Sequence, residues 1–138
     1  RTVSVDVVDE RANEFPRHRG SLTGLPYRFG YCASPDPDSA HWPTFKYDLE
    51  AGTTQVFEHG EGRAAGEPVF VSRNDATAED DGWLITFVHD ATSDSAELVV
   101  LDAQDFDRGY VARVLLPQRI PLGFHGNWVS DRSVPPPT

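Results

Sequence analysis

Residues 44–60 read TFKYDLEAGTTQVFEHG. Two arms in which apolar and polar side chains alternate flank Glu50, Ala51 and Gly52. A glycine at that place can take the positive φ that a tight connection needs. A side-chain period of two on both sides of such a turn predicts an antiparallel hairpin with one buried face. This hairpin sets the fold class, and the flanking sequence extends it.

Towards the N-terminus, YRFGYCAS (27–34) alternates aromatic residues and predicts a strand, and TVSVDVVD (2–9) alternates valine with polar residues and predicts another. Between them NEFPRHRGSLTGLP (13–26) holds Pro16, Gly20, Gly24 and Pro26 and reads as a loop, as does PDPDSAHWP (35–43). Towards the C-terminus, GEGRAAGE (60–67) is a glycine-rich crossing and PVFVSR (68–73) a short strand. NDATAEDDG (74–82) is an acidic surface loop. WLITFVHD (83–90) and AELVVLDA (96–103) are apolar strands joined by the polar turn ATSDS, and YVARVLLP (110–117) is a further strand. SVPPPT (133–138) has nothing to pack. No stretch carries a 3.6-residue apolar period of helical length. Roughly eight short strands at intervals of about 8–12 residues predict an all-β, antiparallel fold: a sandwich, a barrel, or about two blades of a propeller. No internal repeat selects the propeller. The expected organisation is one β segment over residues 1–131 and a proline-rich tail over 132–138.

Composition narrows the function classes. The 138 residues suffice for one domain with a core, and 38% hydrophobic and 11% aromatic content exclude wholesale disorder. Twelve Lys and Arg against 22 Asp and Glu give a net charge of −10, which repels phosphate backbones and anionic membranes. With no basic run, nucleic acid is excluded as a partner; other membrane contact stays open. Cys32 is the only cysteine, so there is no internal disulfide and no multi-thiolate zinc site. This suits a reducing cytosol, and a cytoplasmic location is the expectation. The first residue is Arg1 in a strand-like run, which suggests a processed product or a piece of something longer.

Five histidines are present: His18, His41, His59, His89 and His125. None forms a close H-x-x-x-H pair. The first four read as surface or strand-end residues. His125, in PLGFHGNW (121–128), differs in its setting. Gly123 and Gly126 admit a close neighbour, and Phe124 and Trp128 supply an apolar wall. The ring is either a metal-competent imidazole or a satisfied core histidine. Glu14 and Glu67 each stand where a loop meets an apolar strand. A carboxylate entering a core must be paired. The partner is either Arg17 or Arg73 in an ion pair, or a histidine N–H whose tautomer the carboxylate fixes. AEDDG (78–82) lacks the spacing of a calcium loop and reads as a solvated turn. G-x-S-x-G, G-x-G-x-x-G and P-loop motifs are absent.

Six stretches taken together resemble the C-terminal part of the carotenoid cleavage oxygenases, a family that includes the lignostilbene dioxygenases. They are NEFPR, PYRFGYC, KYDLEAGTTQVFEHGEGRAAGEPVFV, EDDGWLITFVHD, AELVVLDAQDF and LPQRIPLGFHGNW, in the family's order from about residue 13 to residue 128. The resemblance implies two blades of a seven-bladed β-propeller. It implies a non-haem Fe(II) held by four histidines, with His125 as one metal ligand. Glu14 and Glu67 would hydrogen-bond the far ring nitrogens of ligand histidines. The implied activity is oxidative cleavage of a conjugated C=C bond in a carotenoid, apocarotenoid or stilbene, using O₂ and giving two carbonyl products. The other three ligand histidines, the helical cap and the remaining N-terminal blades would lie upstream, so the chain alone is expected to be inactive. A non-enzymatic β-rich binding module, or a fragment without metal, is the alternative.

Overall fold

The computed structural model describes residues 2–35, 41–121 and 123–131. Nine strands form among them: β1 (Glu14–Arg17), β2 (Phe29–Ala33), β3 (Thr44–Asp48), β4 (Thr53–Phe57), β5 (Arg63–Ala65), β6 (Val69–Ser72), β7 (Gly82–Asp90), β8 (Ser95–Asp102) and β9 (Tyr110–Leu115). The first sheet runs β1-β2-β3-β4, antiparallel throughout. In the second, β7, β8 and β9 form a meander, and β5 and β6 both pair with the other side of β7. The two sheets are the blades of a partial β-propeller, the one of the three architectures left open by the strand pattern that the resemblance implies. Its helical content is two short 3₁₀ turns, and no helix among the described residues could cross a membrane. The expected tail at 132–138 lies outside the described residues.

The hairpin at 44–57 forms as predicted. Gly52 takes φ +64°, and the Asp48 carboxylate accepts the N–H groups of Glu50 (3.2 Å) and Ala51 (3.0 Å). These side-chain acceptors replace the ladder bonds that the turn lacks. Gly82 opens β7 for a different reason. A Cβ there would collide with the Val71 carbonyl and the Phe70 ring across the β6–β7 pair.

Three expectations are corrected. Residues 2–9 form no strand, and Val3, Val5, Val7 and Val8 lie exposed. A period of two becomes a strand only when another backbone accepts its ladder bonds, and none of the described strands lies alongside. Conversely, β1 forms inside the proline-marked loop at 13–26, and β5 inside the glycine-rich crossing at 60–67. Both are sheet edges, where Pro16 can stand without its missing N–H being needed. The acidic turn at 78–82 is also no solvated surface. Glu79 accepts the N–H groups of Arg28 and Phe29, both at 2.8 Å, Asp80 pairs with Lys46 at 2.7 Å, and Asp81 with Arg73 at 2.7 Å. Acids in this loop of the second sheet thereby bind β2 and β3 of the first.

The core lies between the sheets. Phe29 and Tyr31 of β2 meet Leu84, Leu101, Ala103 and Phe106, with Phe57, Phe70 and Tyr110 around them. Tyr31 and Phe70 stack with ring centroids 5.6 Å apart. The Tyr31 hydroxyl is buried without a hydrogen-bond partner among the described residues, whereas two basic side chains nearby are fully engaged. Lys46 Nζ donates to Asp80 Oδ2 and to the Ala103 carbonyl (2.6 Å) and sits 4.5 Å from the Phe29 ring centre. Buried His59 is hydrogen-bonded through Nε2 to Thr44 Oγ1 and through Nδ1 to the Tyr110 hydroxyl, both at 2.9 Å. At the edges, Trp42 and Ala64 form a parallel bridge in which Trp42 N–H donates to Arg63 O and Ala65 N–H to Trp42 O, each at 3.1 Å.

Candidate metal centre

Glu67 owes its position to Pro68. A proline cannot donate a ladder bond, so the strand beside β7 breaks into β5 and β6 with residues 66–68 between them. The break is pinned from behind: Gly66 N–H donates to the Phe87 carbonyl at 2.9 Å, and Thr86 Oγ1 donates to the Gly66 carbonyl at 2.9 Å. Pro68 is fully buried, and its ring disfavours a helical conformation at the preceding residue. The Glu67 side chain is then held with 5% of its surface exposed.

His125 lies on the irregular segment that follows β9. Its Nδ1–H donates to Glu67 Oε1 at 3.2 Å, and Gly126 N–H donates to Glu67 Oε2 at 2.7 Å. An ionised carboxylate can only accept, so this contact places the proton on Nδ1 and leaves the Nε2 lone pair available. The His125 side chain is 75% exposed, and its Nε2 has no hydrogen-bond partner among the described residues. The buried-core alternative for His125 is thereby set aside. Phe15 of β1 meets the imidazole edge-on, with centroids 6.0 Å apart. A cleft of about 640 Å³ opens beside the ring, walled by Phe15, Trp42, Ile85, Phe87, Leu98 and Phe124.

The two accounts of Glu67 coincide here: it takes the histidine N–H, and Arg17 Nη1 stands 3.5 Å from its Oε1. Arg73 is committed elsewhere, to Asp81 and Asp102. Glu14 sits exposed on β1, the edge of the first sheet, and its carboxylate makes no hydrogen bond or ion pair among the described residues. Neither Gly123 nor Gly126 is required by crowding within the chain. A Cβ on Gly123 would meet nothing, and one on Gly126 only Val69 at 3.9 Å.

The other histidines are not gathered round His125. His18 stacks on Tyr27, His41 binds the Gly60 carbonyl and Glu58, and His89 faces the Ser95 carbonyl on a wall of the same cleft. His59, expected near the surface, is buried between the sheets, and that burial pushes it down to about 3. No three His, Cys, Asp or Glu side chains converge on a metal position among the described residues. What the chain offers a metal is therefore one imidazole, oriented from behind by a buried carboxylate and open in front. That donor fits one coordination position of a transition-metal ion and no more. Sequence reading had treated Arg17 only as an ion-pair partner and passed over Phe15; both lie in EFPR, where a proline between two large side chains marks an irregular edge.

A two-blade sheet pair carrying a histidine–carboxylate half-site defines the class of protein, and sequence comparison identifies it. The chain belongs to the retinal pigment epithelial membrane protein family, that of the carotenoid cleavage oxygenases, whose sequence model matches residues 1–130. It is 37% identical over 130 residues to the apocarotenoid-15,15'-oxygenase of Synechocystis, covering 92% of this chain and 26% of that relative. It is 39% identical over 88 residues to resveratrol cleavage oxygenase 1 of Aspergillus fumigatus, covering 64% of this chain and 18% of that one. Among solved structures it superposes on the cobalt-substituted Synechocystis enzyme with a TM-score of 0.83 at 35% identity, covering 90% of this chain and 26% of that one. The chain thus spans about a quarter of the length of the curated relatives it matches.

Proposed function

We propose that this chain is the C-terminal part of a non-haem Fe(II) dioxygenase that cleaves a conjugated C=C bond of a carotenoid, apocarotenoid or stilbene to two carbonyl products. The observation that carries the proposal is the His125–Glu67 pair, with Nδ1–H held by the carboxylate and Nε2 without a hydrogen-bond partner among the described residues, on an apolar cleft. His125 is the iron ligand. The relatives named for activity on an apocarotenoid and on resveratrol support the substrate class. The cobalt substitution made in the Synechocystis enzyme supports a resident transition metal.

Iron bound at His125 supplies the redox centre at which O₂ is used against an electron-rich alkene. This chain's residues do the positioning. Glu67 selects the tautomer and stops the ring from turning, the Gly126 N–H bond fixes the segment that carries it, and Phe15 blocks one side of the imidazole. The apolar cleft walls give the ring poorly hydrated surroundings, suited to a hydrocarbon substrate. Glu14, on the edge of the neighbouring blade, takes the same part towards a histidine supplied by the upstream blades. One imidazole cannot retain a catalytic iron, so this chain by itself is inactive.

Elemental analysis after anaerobic Fe(II) loading tests this on the complete protein. The expected result is about one iron per molecule, lost together with cleavage in His125→Ala. Glu67→Gln weakens iron binding roughly 10–100-fold. Full iron occupancy in His125→Ala would overturn the ligand assignment.

A further inference from the structure

Glu67 is held from two directions, and only one of them is the histidine. Arg17 comes from the other sheet. Its Nη1 lies 3.5 Å from Glu67 Oε1, and its Nη2 donates to the Gly126 carbonyl at 3.2 Å and to Asn127 Oδ1 at 3.4 Å. One guanidinium therefore touches both the carboxylate that orients His125 and the two residues that follow His125 in the chain. Glu67 closes the loop from below by accepting His125 Nδ1–H and Gly126 N–H. The result is a ring of contacts, Arg17–Glu67–His125–Gly126, that ties β1 of one blade to the metal-ligand segment of the next.

The strand that delivers Arg17 is irregular. Glu14 pairs with Ala33 and Arg17 with Tyr31, so three residue steps on β1 face two on β2, which is a bulge. Inside it Phe15 has φ +59°, a strained conformation that bulky side chains rarely adopt. Such strain persists only when the surroundings hold it. Here the strained residue and the one two places on are those that reach the ligand segment: the Phe15 ring meets His125, and the Arg17 fork meets Glu67, Gly126 and Asn127. A lysine could supply the charge but not the planar fork that serves separate acceptors.

We propose that Arg17 is a positioning residue for the iron site, acting through Glu67 and the backbone at 126–127 to fix where His125 Nε2 points. This rests on the reading of His125 as an iron ligand. A plain ion pair serving only to accommodate a buried carboxylate would affect folding and leave the metal alone, so the two roles separate by measurement.

The experiment uses the complete protein and three readouts: Fe(II) affinity by competition with a chromophoric chelator, the visible ligand-field spectrum of the Co(II)-loaded protein, and the unfolding midpoint of the metal-free protein. Arg17→Ala is expected to weaken Fe(II) binding about 10–100-fold, the scale of outer-sphere substitutions. It should alter the Co(II) bands and leave the metal-free midpoint in place. Arg17→Lys should recover part of the affinity. Arg17→Ala combined with Glu67→Gln should weaken iron binding by less than the product of the two single losses, because Arg17 acts in part through Glu67. Losses that multiply in the double variant overturn the proposal, as do a wild-type affinity and spectrum in Arg17→Ala. Should Arg17→Ala fail to fold, Arg17→Lys decides, and wild-type affinity there overturns the proposal too. If His125→Ala and Glu67→Gln lose iron while Arg17→Ala keeps it, the inference fails and the iron reading stands. If all three keep iron, the iron reading fails and the inference goes with it.

Discussion

Lys46 and His125 are both basic side chains held by a carboxylate, and they differ in what lies on the far side. Lys46 is 5% exposed, and its ammonium is surrounded by Asp80, the Ala103 carbonyl and the Phe29 ring, drawn from both sheets. His125 is held just as definitely through Nδ1, but its other nitrogen has no hydrogen-bond partner among the described residues. The same contrast appears in the apolar residues. Between the sheets Tyr31, Leu84 and Leu101 are fully buried, whereas the valines at 3, 5, 7 and 8 and the rings of Phe124 and Trp128 stay open. One region is closed by the chain's own residues, the unpaired Tyr31 hydroxyl excepted. The half-site is of the open kind, with His125 bound through one nitrogen only. Relatives about four times as long leave room for what completes it.

The comparison breaks most visibly at Lys46. Removing one partner of a buried ion pair leaves the other charge uncompensated and costs about 3–5 kcal/mol. Lys46→Ala in the complete protein should therefore lower the denaturant midpoint more than any other change named here. Iron per folded molecule should stay the same. A parallel loss of iron affinity would mean that the two regions are one cooperative unit, and the contrast would fall.

A smaller effect, readable as a slope, comes from His59. Burial, with lesser contributions from Arg63 and His41, pushes it from the ordinary 6.5 down to about 3. Between those values the unfolded chain binds a proton that the folded chain refuses. Stability therefore falls as pH drops through that window, by at most about 1.4 kcal/mol per pH unit. His41 has the opposite sign. The Gly60 carbonyl and then Glu58 raise it, so its contribution is complete below 6.5 and is lost as pH rises. The lowered carboxylates, Asp9, Asp48 and Asp90, make themselves felt only below about pH 4. Unfolding measured between pH 6 and 4.5 isolates His59, and His59→Gln should flatten the slope there. An unchanged slope would show that His59 does not titrate against burial.

How legible these regions were in the sequence follows from how local their causes are. The hairpin at 44–57 was legible because alternation and Gly52 both lie within it. The strand predicted at 2–9 shows the limit, since alternation says that a segment can pair and not that a partner is at hand. β1 and β5 were hidden by Pro16 and by neighbouring glycines, residues that disfavour central strands and are tolerated at edges. At the site, His125, Glu67 and Glu14 were each singled out by their local setting, but their joint role came only from resemblance to a family, because 58 positions separate Glu67 from His125. Arg17 was weighed only as a local counter-charge. Its reach to Gly126, 109 positions away, depends on how the two sheets pack. The acids at 79 and 80 were misread for the same reason, since their partners Phe29 and Lys46 lie on the other sheet.

The smallest effect expected on stability sharpens the contrast at the open side. Phe15 stands at φ +59° with its ring on His125. Phe15→Gly relaxes the backbone, since glycine adopts that φ at little cost, and gives up a partly exposed ring. The two changes oppose each other, so stability should move by no more than about 1 kcal/mol in the complete protein. Phe15→Ala loses the ring and keeps the strain, so it should be the less stable of the two by about 1 kcal/mol. Both should weaken Fe(II) binding several-fold, because both free one side of the imidazole. If Phe15→Gly is instead strongly destabilised and holds iron as before, the ring is a packing element like those between the sheets. The strained edge would then belong to the closed region, and the open one would keep only Glu67 and Arg17 to orient its histidine.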